Sequence, residues 1–380
     1  MSVIWLFTLN YKNIYKNIRE SRLFVIILIL TFWIFLTCLF TNFSTNAFEI
    51  FLKYFLMPII VISTTVKEEN IKYIIMSFLF GMFANELISY GIYFEFIKDS
   101  FLGFNLTGNK NNPVPFMASH MEYTLFLSLS IIVSIFSIFS VKNIVFKLIL
   151  SFFTITMVIN LFLTTGRTGQ FTLLGTACIL LIIYFRHNYK IILSGLILIV
   201  FVFLTAYFFS ENTNTRLNQG YNDIVKVIQD KNYNTSLGVR LSSYILIPKI
   251  IEDKNFNIIY GTGYCKVNQV IHQIHLKEFG ENSIFRVQEG HLHNSYITIF
   301  AGTGIIGLIL LLSIWYEIFK VKIKNIYFNY IRYSFLFVVF LGGFTENMFR
   351  QKEVMMMSAI FISMIIVLST KYIEDENSEK

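Results

Sequence analysis

The chain has 380 residues, 55% of them hydrophobic and only 14% charged, with 42 Phe, 21 Tyr and a formal net charge of +8. A soluble domain carries roughly 25% charged residues, so this much apolar surface cannot be covered in water. Soluble enzymes, disordered chains and collagen-like repeats are excluded, and an all-α polytopic membrane protein remains.

A helix needs about 20 apolar residues to cross the hydrocarbon core. Val3–Leu9 is too short to span and suits the interface. About ten segments qualify: Leu23–Phe40, Phe48–Val66, Ile71–Ile97, Phe116–Phe139, Ile144–Leu163, Thr168–Phe185, Ile191–Phe209, Asn294–Tyr316, Ile326–Leu341 and Val354–Thr370. The chain therefore divides into an N-terminal bundle over 1–209, a loop or cap over 210–292, C-terminal helices over 293–370 and a charged tail over 371–380, all within one integrated domain. In the cap, Ile224, Val225, Val227 and Ile228, then Leu241, Tyr244, Ile245, Ile247, Ile250 and Ile251, recur at near-helical spacing. They predict two short amphipathic helices. Gly261-Thr262-Gly263 predicts a turn and Tyr264–Phe279 a further helix.

The positive charge lies mostly in the short breaks, where it orients a membrane protein rather than binding nucleic acid. One side collects Lys12, Lys16, Arg19, Arg22, Lys67, Lys72, Lys142, Lys147, Arg186, Lys190, Lys320, Lys322 and Lys324. The short breaks of the other hold only Lys98, Lys110, Arg167, Arg350 and Lys352. The first side is expected to be cytoplasmic, which puts both termini inside and the cap outside. Cys38 and Cys178 lie in apolar runs and Cys265 stands alone in a polar one, so neither a disulfide framework nor a CxxC metal pair follows.

Arg167 sits in Thr164-Thr165-Gly166-Arg167-Thr168-Gly169 at the start of a helix. Two glycines, a helix N-terminus and a guanidinium suit a phosphate; the same position suits an arginine snorkelling to the headgroups. Arg240, in Ser236-Leu237-Gly238-Val239-Arg240, falls on the same membrane side, although alone it reads as a solvated charge. His293, in Gly290-His291-Leu292-His293-Asn294-Ser295-Tyr296, precedes the eighth span. A neutral imidazole there accepts a proton and Asn294 orients a polar substrate, or the pair simply caps the helix. The spacing of His272, His275, His291 and His293 fits no closed zinc site, and no carboxylate cluster suggests Mg²⁺ or Mn²⁺, so neither metal nor cofactor is expected. Glu346 and Arg350 are spaced i,i+4 and are expected to neutralise one another. Gly302-x-Gly304-x-x-Gly307 matches a dinucleotide fingerprint but has no strand before it, and helix packing explains it better. His120 and Glu122 either line a site or cap the fourth span.

Taken together, Thr-Gly-Arg-Thr-Gly at a membrane edge, an Arg after Ser-Leu-Gly, Tyr260-Gly261-Thr262-Gly263, and His-Leu-His-Asn-Ser-Tyr running into a Gly-x-x-Gly helix resemble the bacterial O-antigen ligase/O-antigen polymerase superfamily over roughly Asn160–Leu312. The resemblance implies a GT-C-like glycosyltransferase architecture, usually with about twelve spans, in the bacterial inner membrane with its site facing the periplasm. It implies transfer of a glycan from an undecaprenyl-pyrophosphate carrier, to lipid A–core in the ligases, with no metal. By the same resemblance Arg167 and Arg240 hold the donor pyrophosphate and His293 activates the acceptor hydroxyl, while His291, Asn294, Gly166 and Thr168 are possible substrate contacts. An O-antigen polymerase and a protein O-glycosylation ligase share the donor chemistry. A transporter or flippase is the rival from another class, and it predicts repeats, broken helices and midplane charge.

Overall fold

Apolar runs bounded by Asn, Ser, Gly and Pro fold as helices because lipid offers the backbone no other hydrogen-bond partner. The structure, a computed structural model, describes residues 11–41, 45–98, 100–116, 119–209, 211–281, 283–287 and 289–378; Val3–Leu9 lies outside these. The helices are α1 (Tyr11–Glu20), α2 (Arg22–Phe40), α3 (Thr45–Phe51), α4 (Met57–Thr65), α5 (Ile71–Tyr93), α6 (His120–Ser140), α7 (Ile144–Leu163), α8 (Arg167–Phe185), α9 (Tyr189–Phe209), α10 (Glu211–Asp230), α11 (Ser236–Ile245), α12 (Ile247–Ile251), α13 (Val267–Phe279), α14 (Ser295–Lys320), α15 (Ile326–Gly342) and α16 (Lys352–Ser378). A π-turn over Leu52–Leu56 joins α3 to α4. The strands among the described residues are the two-residue pair Ser100–Phe101 and Phe104–Asn105. Eight helical stretches are long and apolar enough to span, and Tyr189–Thr205 and Ile326–Gly342 are shorter apolar helices. Each corresponds to one of the ten expected segments, and the protein is an all-α polytopic membrane protein.

Two compact units divide the chain. One comprises Met1–Ile71, Asp223–Lys324 and Gly343–Lys380, the other Lys72–Asn222 and Asn325–Gly342.

The second unit is organised around α6, buried from Glu122 through Ser134. Its small polar residues let α8 come close. The Ser128 hydroxyl donates to the Gly169 carbonyl at 2.6 Å, and a Cβ on Gly166 or Gly169 would fall 2.3 Å from Thr124. These glycines are therefore needed for helix approach. Gly166 has φ −80°, so it does not require the left-handed backbone of an anion nest. Glu122 closes a capping box with Ser119, which answers the open question about that residue. Within this unit, Asn160 accepts from the Tyr123 hydroxyl at 2.9 Å and donates to Ser89 at 2.8 Å, and Glu86 is buried at 1% exposure.

In the first unit α14 packs on α2 and α16 on α4. The cap is more helical than expected, with α10 through α13 in place of two or three short helices. Leu246, Ile250, Val267, Val270, Ile271, Ile274, Leu292, Ile297 and Ala301 form its core. Helix α14 is broken at Gly304, which has φ 67° and ψ −166°. The glycine motif there accommodates a loop: a Cβ on Gly304 would lie 2.2 Å from the Ile259 carbonyl oxygen. The freed backbone groups are satisfied by protein. Thr262 N–H donates to Ala301 O at 2.8 Å, Ile305 N–H to Ile258 O at 2.8 Å and the Trp33 indole to Thr303 O at 2.9 Å. A membrane helix tolerates a break only on those terms.

Cys38, at the end of α2, is disulfide-bonded to Cys265, a pairing that spacing alone did not suggest because 227 residues separate the two. Cys178 is free. The bond fastens the Gly261–Gly263 turn to the first span. Replacing both cysteines by serine is expected to lower unfolding stability by about 2–4 kcal/mol, read as a lower thermal midpoint in detergent. Non-reducing peptide mapping should recover the 38–265 cross-link and an alkylatable Cys178; a shuffled or missing bond would disprove the pairing.

His275 stacks on Phe285 with centroids 4.4 Å apart, 1% exposed, and neither ring nitrogen has a hydrogen-bond partner among the described residues. Burial, helped by the nearby histidines 272, 293 and 291, pulls its pKa down to about 3. The unfolded chain then binds a proton near pH 6.5 that the folded chain refuses. Its stabilising contribution is complete above that pH and is lost as pH falls toward 3. A loss on the order of 3 kcal/mol between pH 6.5 and 4.5 follows. His275→Phe, which keeps the stack, should flatten the pH dependence of the thermal midpoint over that interval; an unchanged slope would refute the assignment.

Candidate active site

In the short stretch leading into α14 burial alternates, with Leu292 and Asn294 buried and His291 and His293 only partly so. Leu292, at 1% exposure, enters the cap core, which turns His291 and His293 together to the opposite side. Their rings sit 4.5 Å apart. Asn294 then starts α14, its side chain accepting from Ile297 N–H at 2.9 Å.

The loop over 343–351 meets them. Ser295 N–H donates to Gly343 O at 2.8 Å, and the Ser295 hydroxyl donates to Glu346 O at 2.9 Å while accepting from Met348 N–H at 2.8 Å. The Glu346 carboxylate is thereby placed between the two imidazoles: His291 Nε2 is 2.7 Å from Oε1 and His293 Nδ1 is 3.0 Å from Oε2. Asn347 N–H also donates to Oε1, at 3.1 Å. The Glu346 side chain is 0% exposed, and a buried carboxylate is tolerated only with such donors.

The i,i+4 pairing of Glu346 with Arg350 does not form, because 343–351 is a series of turns and not a helix. The Arg350 guanidinium bonds instead to His291 Nδ1, at 3.3 Å. Burial pushes the Glu346 carboxyl up, but the hydrogen bonds and charges of His291 and His293 outweigh it and hold the group well below the usual carboxylate range. Burial lowers His291, against the pull of Glu346. An ionised carboxylate can only accept, so the ring nitrogens that face it, Nε2 of His291 and Nδ1 of His293, are the donors. His291 then carries its proton on Nε2 and presents Nδ1 to Arg350. His293 carries its proton on Nδ1, and its Nε2 has no partner among the described residues. The His293 side chain is 12% exposed.

Helix α11 completes the group. Ser243 accepts from His293 N–H at 3.1 Å. Arg240 Nε donates to Thr345 O at 3.2 Å, and its Nη1 donates to Ser236 O at 2.8 Å. The structure thus brings Arg240, His291 and His293 onto one loop. Asn294, expected to orient substrate, is spent on the scaffold. At 1% exposure, it caps α14 and donates to the Tyr244 hydroxyl at 2.9 Å and to Phe344 O at 3.3 Å. Arg167 belongs to the second unit, where its Nη2 donates to Arg216 O at 2.8 Å, and Thr168 beside it is 2% exposed.

His291, His293 and Glu346 offer donor atoms within 4.8 Å of one another, the set that could hold a metal. Bonds of 2.0–2.1 Å in a tetrahedral site would separate ligand atoms by roughly 3.3 Å. The 2.7 and 3.0 Å contacts are hydrogen-bond spacings, and the guanidinium beside His291 disfavours a cation. His272 and His275 are not in this group.

Glu346 was overlooked in the sequence because a helical spacing rule was applied to a loop. Its signal was an acid between two spans, on the same membrane side as a His-x-His.

Residues 152–312 match a family model described as O-antigen ligase. No curated protein matches the chain.

Proposed function

We propose that this chain, a member of the O-antigen ligase/O-antigen polymerase superfamily, is a ligase that moves a glycan from undecaprenyl-pyrophosphate to a sugar hydroxyl of lipid A–core at the periplasmic face of the inner membrane. The observation that carries the reading is the Glu346–His293 pair, with Nδ1 on the carboxylate and Nε2 left to take a proton. The acceptor hydroxyl gives its proton to Nε2 as its oxygen bonds to the anomeric carbon. The bond from that carbon to the phosphate oxygen breaks, and undecaprenyl pyrophosphate leaves as an anion, with inversion. A pyrophosphate leaving group needs charge neutralisation and not a proton donor, so Arg240 is assigned to it. A guanidinium in that role leaves no step for a metal ion.

The outward orientation of the cap draws support from two sources. One is the distribution of basic residues. The other is the Cys38–Cys265 bond, since disulfides persist in oxidising compartments.

Incubating the purified protein with undecaprenyl-pyrophosphate glycan and lipid A–core, without nucleotide and with chelator, should give a lipopolysaccharide ladder on a gel. Carrier-linked glycan that lengthens while lipid A–core stays bare would make the protein a polymerase. Absence of both products from folded protein would reject transfer.

A further inference from the structure

Far along the sequence from the histidines, spans of the first unit end around a polar hollow. Arg22 opens the span of α2, Lys320 closes that of α14, and the apolar part of α16 ends at Ile373. Between these ends lies a cavity of about 270 Å³, lined by Glu20, Arg22, Glu317, Lys322 and Tyr372, with Lys320 and Glu376 beside them. Spans that end together end at the edge of the hydrocarbon core, so the cavity is at headgroup depth. Two local contacts fix its walls. Ser21 separates α1 from α2 and its hydroxyl accepts from Phe24 N–H at 3.2 Å, which holds Glu20 and Arg22 on either side of the bend. Val321 N–H donates to Glu317 O at 2.9 Å, closing α14 between Glu317 and Lys322.

The cavity presents both signs of charge and keeps them apart. Among the described residues, none of Glu20, Arg22, Glu317 and Lys322 forms an ion pair. Glu20 Oε2 is also buried without a hydrogen-bond partner among those residues, and an acceptor buried without a donor costs its full desolvation. A ligand that fits these walls brings an N–H-bearing cation to Glu20 and an anion to Arg22, whose guanidinium suits a phosphate. We propose that this cavity binds the headgroup of a zwitterionic phospholipid with a primary ammonium, the phosphatidylethanolamine class. A primary ammonium donates through its N–H groups; the quaternary ammonium of phosphatidylcholine has none and would leave Oε2 unmet. The site needs no excess of either charge, only the separation of the two. Soluble phosphoethanolamine shares the chemistry, but a cavity set among the ends of spans favours a ligand with acyl chains.

The test is native mass spectrometry of the full chain released from nanodiscs that hold equal amounts of phosphatidylethanolamine, its N-monomethyl and N-dimethyl forms, and phosphatidylcholine. The most tightly retained lipid should be phosphatidylethanolamine, favoured over phosphatidylcholine about tenfold, with the methylated forms in between as N–H donors are lost. Glu20→Ala should bring that preference below about twofold while some lipid is still retained, because the phosphate contact remains. Arg22→Gln should do the opposite, lowering retention of all four lipids together by about fivefold. Arg22→Lys keeps the charge and should hold the lipid, which guards against misfolding, since a misfolded chain would lose preference and retention at once. Equal retention along the methylation series, as hydration of the cavity alone would give, an unchanged preference in Glu20→Ala, or full displacement by an equal concentration of soluble phosphoethanolamine would each overturn the proposal. Lipid retention is read without glycan substrates, so its failure and failure of transfer are separate results.

Discussion

His293→Ala lowers the initial rate of glycan transfer by about 10²–10⁴-fold, the range a positioned general base contributes. A sugar hydroxyl is a poor nucleophile, and in the proposed mechanism Nε2 of His293 takes its proton while Glu346 holds Nδ1 at 3.0 Å. Glu346→Gln separates orientation from basicity. A carboxamide offers one acceptor and one donor where the carboxylate offers two acceptors, so one imidazole must change tautomer. If His293 changes, its proton moves to Nε2 and the base is lost without any loss of packing. A fall of roughly 10–100-fold is expected, with the acceptor KM little changed and the thermal midpoint close to wild type. Retention of activity within fivefold in a folded His293→Ala protein would eliminate this mechanism.

Arg240→Ala is expected to reduce kcat by about 10²–10³-fold, the cost of removing one preorganised group from developing charge. The guanidinium plane is fixed at two edges, by Thr345 O and Ser236 O, so its position is set before substrate arrives. Arg240→Lys keeps the charge but cannot make both contacts in one plane, and it should recover only part of the rate. A merely structural Arg240 would give a different result: the alanine variant would lose thermal stability, and any protein that folded would turn over normally.

Much of this molecule could be read without coordinates. The span boundaries were visible because lipid forces apolar length and helix to coincide, and His293 stood out because it falls just before a span on the same side as Arg240. Other features depend on contacts between distant segments. Cys38 and Cys265 have no local pattern that pairs them. Gly166 looks like part of a ligand loop and Gly304 like part of a packing motif, and only the approach of Thr124 to the first and of Ile259 and Tyr260 to the second explains their missing side chains. Glu346 was assigned to the wrong partner because the loop that carries it has no sequence period. Asn294 had two chemically reasonable roles, and burial decided for the cap.

The bond between Cys38 and Cys265 also bears on how the protein is made. Synthesis proceeds at about 5–20 residues per second, so the 227 residues between the two cysteines take roughly 10–45 s to follow. Through that interval Cys38 has been delivered at the end of the first span while its partner is still uncoded chain, exposed to any oxidant or passing thiol. The cap can be fastened only once α10 to α12 have been made. A cell short of disulfide-forming capacity should therefore accumulate inserted but unclamped chains, with bundle helices in place and a loose cap.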